Sequence, residues 1–65
     1  MTTIIKDDFT SGAQVSMEMD KDAGELFVFH CPPGQGCKVS KWPLDSSHMP
    51  IAVAHYERCC EAERS

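Results

Sequence analysis

The chain has 65 residues, ten acidic against six basic, a net charge of -4 and a hydrophobic fraction of 42%. That length allows one small domain, of a size that hides only about 60% of its unfolded surface and usually needs a metal, a disulfide or a partner for stability. The cations are scattered, so the clustered charge that drives phosphate-backbone binding is missing and nucleic acid is disfavoured as a partner.

The N-terminal stretch Met-Thr-Thr-Ile-Ile-Lys-Asp-Asp lacks the basic and apolar regions of a secretory signal. No apolar run approaches the roughly 20 residues that span a bilayer. These features point to a cytoplasmic protein, in which four cysteines are expected as thiols or metal ligands rather than disulfides.

In chain order, Ile4 and Ile5 mark a short first strand at about residues 2 to 6, and Thr10-Ser11-Gly12 a turn. Residues 13 to 19 alternate: Val15, Met17 and Met19 share one face, Gln14, Ser16 and Glu18 the other. Asp20 to Gly24 reads as a loop of about five residues before the apolar run Leu26 to Phe29, which gives an antiparallel hairpin. With Met19 opposite Glu25, Met17 faces Phe27 and Val15 faces Phe29, so Phe27, Phe29 and Cys31 are expected in the core.

Cys31-Pro32-Pro33-Gly34-Gln35-Gly36-Cys37 is irregular, with two prolines lacking donors and two glycines that permit tight bends. Lys38 to Trp42 reads as an edge strand ended by Pro43. Asp45-Ser46-Ser47 supplies helix caps, and Pro50 suits a first helical turn. A helix is expected from about residue 48 to about 63, with Met49, Val53, Tyr56 and Cys60 as its core stripe. A flanking stripe carries His48, Ala52, His55 and Cys59. Trp42, Pro43 and Leu44 are expected to plug the helix onto the sheet.

The expected fold is a single α+β domain over residues 1–65: a β-hairpin or three-stranded antiparallel sheet packed against one C-terminal helix, with zinc as its stabiliser. The expected ligands are Cys31 and Cys37 at the lips of the loop, and His55 and Cys59 one turn apart on the helix. Cys60 is the alternative to Cys59, and His30 and His48 are spare donors read as solvent-facing. Four protein ligands make such a zinc structural, with no open position for water. Two other readings of the cysteines stand beside it: small buried hydrophobes, or a Cys31–Cys37 disulfide or redox pair.

The chain is too short for a typical substrate pocket, and it has neither a phosphate loop nor a nucleophile elbow, so no enzyme activity is expected. The functional expectation is a zinc-stabilised protein-interaction module, an adaptor, regulator or inhibitor whose acidic surface suits a partner with a basic face. The alternatives are a metal-free acidic homodimer and, in third place, a nucleic-acid-binding zinc module.

Overall fold

A computed structural model describes residues 2–64. Four strands, β1 (Thr2–Asp8), β2 (Gln14–Asp20), β3 (Glu25–Cys31) and β4 (Lys38–Pro43), precede one helix, α1 (Met49–Arg64). The strands form an antiparallel meander in the order β1-β2-β3-β4, so β1 and β4 are its edges. The helix lies on one face. This is the expected α+β architecture with a fourth strand added.

Each turn has a chemical cause. Gly12, at φ 98°, closes the β1–β2 turn, where Gly12 N–H donates to the Phe9 carbonyl and Phe9 N–H to the Ala13 carbonyl. In the β2–β3 turn, Asp20 Oδ1 accepts from the N–H groups of Asp22 and Ala23, both at 3.1 Å. Gly24 then takes φ 68°, and β3 starts at Glu25. Asp45 caps the helix entrance: its Oδ1 accepts the His48 N–H at 2.8 Å.

The β2–β3 register differs from expectation by one residue. The turn uses four residues, 21 to 24, so Asp20 rather than Met19 faces Glu25. Met19 then pairs with Leu26, Met17 with Val28 and Val15 with His30. A one-residue slip exchanges the faces of a strand. Leu26 and Val28 therefore turn inward, and Phe27, Phe29 and Cys31 turn to the face away from the helix.

The core cluster is Val15 and Met17 from β2, Leu26 and Val28 from β3, and Ala52, Tyr56, Cys59 and Cys60 from α1. Phe9, Met19, Trp42, Leu44 and Met49 pack around it, so the Trp42–Leu44 plug is present. The helix is rotated relative to the expected stripe. Cys59 joins Cys60 in the core, and Val53 is exposed. No residue of β1 belongs to the core cluster. Among the described residues no helix is long and apolar enough to cross a membrane.

Candidate functional site

The four expected ligands fall into two separate pairs. Cys31 and Cys37 are joined by a disulfide, with Cα atoms 4.0 Å apart. The bond continues the β3–β4 register, in which Phe29 faces Val39 and His30 faces Lys38, so that Cys37 falls opposite Cys31. It is a cross-strand bond on the outer face of the sheet, closing the Pro/Gly loop. His55 and Cys59 lie on the helix, which packs against the inner face. Strand alternation thus separates the loop sulfurs from the helical pair. Among the described residues no three His, Cys, Asp or Glu side chains are placed to hold one metal ion.

The helical pair has its own surroundings. Cys59 Sγ lies 3.6 Å from His55 Nε2, and Ser40 Oγ of β4 lies 3.3 Å from the same nitrogen. The Trp42 and His55 rings meet edge to face at 5.3 Å. His55 therefore fills the space between the helix and β4, over Cys59. Burial pushes the Cys59 thiol up from its ordinary value, offset in part by Arg58. A raised thiol is the protonated, weakly nucleophilic form.

Cys60 faces the opposite flank. Tyr56 Oη donates to Asp7 Oδ2 at 2.6 Å, and Cys60 Sγ donates to the same oxygen at 3.5 Å. These bonds tie β1 to the helix. The Tyr56 hydroxyl, followed by the Cys60 thiol, holds the Asp7 carboxyl below its ordinary value. Burial and then the Asp7 carboxylate push the Tyr56 phenol above its own.

The spare histidines have partners. His30 Nε2 lies 2.5 Å from Glu63 Oε2 and pins the end of the helix to β3. His48 Nδ1 lies 2.7 Å from Asp45 Oδ1 at the helix cap.

Two apolar surfaces lie outside the core. On the outer face, the Phe27 and Phe29 rings stack with centroids 6.0 Å apart. Val39, opposite Phe29 on β4, is 57% exposed. With the adjoining disulfide they make one apolar strip across the sheet. The register places Glu18, Glu25, Lys41, Lys6 and Asp8 around it, with Lys41 Nζ bound to Glu25 at 3.0 Å.

The second surface is a groove of about 340 Å³ between β1 and the helix, lined by Ile4, Ile5, Met17, Val53, Tyr56 and Glu57. A bulge builds it. Thr3 faces Glu18 and Ile5 faces Met17, so Ile4 has no partner on β2. Both isoleucines then line the groove, and they remain 45% and 46% exposed.

Neither surface is legible in the sequence. The outer strip was hidden by the register, because counting five loop residues instead of four places the phenylalanines inside. The groove depends on a bulge, which an Ile-Ile pair alone does not announce.

No family matches the chain, and neither a curated protein nor a solved structure resembles it closely enough to count as a match.

Proposed function

We propose that this chain is a small protein-interaction module, acting as an adaptor, regulator or inhibitor, that docks a partner on the outer face of its sheet. One observation carries the reading: the stacked, half-buried Phe27–Phe29 pair, with exposed Val39 beside it, lies on the sheet face away from the helix. An antiparallel sheet with one solvated face ordinarily presents polar residues there. Aromatic side chains grouped at the centre of a surface are the usual anchors of protein–protein binding. The rim carries Asp8, Glu18 and Glu25 against Lys6 and Lys41, and the chain as a whole is acidic, so the fitting partner offers an apolar patch edged with Lys or Arg.

The reading is one of binding rather than catalysis. The Cys59–His55 pair sits under β4, and its thiol is raised rather than activated. In the oxidised chain the Cys31–Cys37 bond closes the loop without a metal. In a cytoplasmic setting cellular thiols act on that bond.

The test is a photo-crosslinking residue placed at Phe29 in the native host, against the same residue at the exposed Ala54. The expected result is a crosslinked protein unique to position 29, with a basic contact surface, that is lost when Phe27 is changed to Lys. Equal patterns from the two positions would end the proposal.

The second reading, a homodimer, is favoured by the groove. Both edges carry charge, β4 with Lys38 and Lys41 and β1 with Lys6 and Asp8, but β1 also presents the exposed Ile4 and Ile5 that open onto the groove. Antiparallel pairing of β1 with the β1 of a second copy would set Ile4 and Ile5 of each chain against the other.

A further inference from the structure

The geometry points to the Cys31–Cys37 bond as a redox latch on β4, whose opening uncovers Cys59. This goes beyond the docking proposal and does not depend on it.

Three observations support the latch. First, the bond is accessible: Cys37 is exposed, and so are Pro33 through Gly36. Second, β4 is an edge strand that pairs only with β3, and the Cys31–Cys37 bond is its covalent tie at the loop end. Its other fastenings are the ladder to β3, the Lys41–Glu25 pair, Trp42 against the core, and the contacts of Ser40 and Trp42 with His55 of the helix. The loop itself adds one internal backbone bond, from Gln35 N–H to the Pro32 carbonyl at 3.3 Å. Third, Cys59 lies beneath those same contacts. It sits one helical turn from His55, which touches β4, and four residues before Glu63, which touches His30. Cys59 is 8% exposed, and its Sγ lies against the His55 ring that Ser40 and Trp42 of β4 contact. Cys60, 2% exposed, lies on the β1 flank with Asp7.

The opening reaction is thiol–disulfide exchange with a dithiol reductant. A reductant thiolate attacks the exposed Cys37 sulfur, forms a mixed disulfide and releases Cys31 as a thiolate that takes up a proton. The second reductant thiol then displaces Cys37. Two protein thiols form, and the reductant leaves as its own disulfide. The crosslink closes a loop with a sequence separation of 6. Losing a crosslink of that size raises the open population of the hairpin end roughly fortyfold on the chain-entropy estimate.

The experiment alkylates the intact protein with N-ethylmaleimide, oxidised and after dithiothreitol treatment, and follows each cysteine by peptide mass spectrometry. Amide hydrogen exchange is run in parallel on both forms. Reduction is expected to speed Cys59 modification roughly tenfold or more, to leave Cys60 unchanged, and to strip exchange protection from β4 while β1 and β2 keep theirs. An unchanged Cys59 rate overturns the latch. So does an equal rise at Cys59 and Cys60 with protection lost everywhere, because the bond would then be holding the whole fold rather than one strand.

Discussion

At the scale of single residues, two carboxylates do more than carry charge. Asp45 gathers the Ser47 hydroxyl, the His48 ring and the His48 N–H, and these hold its carboxyl down to about 2. Asp7 is also lowered, chiefly by the Tyr56 hydroxyl. A carboxyl with a lower pKa folded than unfolded stabilises the fold above its unfolded value, near 4, and loses that contribution as pH falls through the folded value. The molecule should therefore lose stability between about pH 4 and pH 2. Thermal melts across this range should show a shallower fall for Asp45→Asn than for the parent chain. Tyr56→Phe should melt several degrees lower at neutral pH, because Asp7 then keeps only the weak thiol donor. Asp45 as a helix cap was readable from the Asp-Ser-Ser run. The Tyr56–Asp7 bond was not, because it joins residues 49 positions apart whose meeting depends on how the helix crosses the sheet.

At the scale of elements, local chemistry gave β2, β4, the edge position of β4 and the helix within a residue or so of their observed bounds. These are signalled by short-range patterns: alternation in Gln14–Asp20, a closing proline at Pro43, a cap at Asp45. Facing was harder to read. Whether the phenylalanines or Leu26 and Val28 enter the core turns on one loop residue, and composition on both faces is apolar enough to permit either. The left-handed Gly24 closes that loop, and a Cβ built there meets nothing within 4 Å. Any cost of Gly24→Ala therefore comes from the backbone alone, and should be about 1 kcal/mol by chemical denaturation. A loss well below that would show that the turn does not hold the register.

At the scale of the whole molecule, the chain meets the stability problem of its size with a thin two-layer core and one crosslink. The sequence locates that crosslink's two residues and favours them as half of a metal cluster, with the disulfide that the structure contains as a lesser reading. Spacing makes a Cys pair visible; it does not say on which side of a sheet the sulfurs emerge. The strand that contributes nothing to the core, β1, makes assembly the property to measure. If two copies join along β1, light scattering should give twice the monomer mass, and Ile5→Lys should return a folded monomer. A monomer in the parent chain at high micromolar concentration would leave the groove without the second copy as its occupant.

The loop between Cys31 and Cys37 has one more consequence. Its ends are pinned with Cα atoms 4.0 Å apart, and its crest, Gly34 to Gly36, stands in solvent with no neighbour within 4 Å of a Cβ built on either glycine. The entropic cost of enlarging a loop grows only slowly with its length. While the bond is oxidised, foreign peptides grafted at that crest would be displayed as rings, which makes this 65-residue chain a minimal scaffold for constrained-peptide libraries under non-reducing conditions.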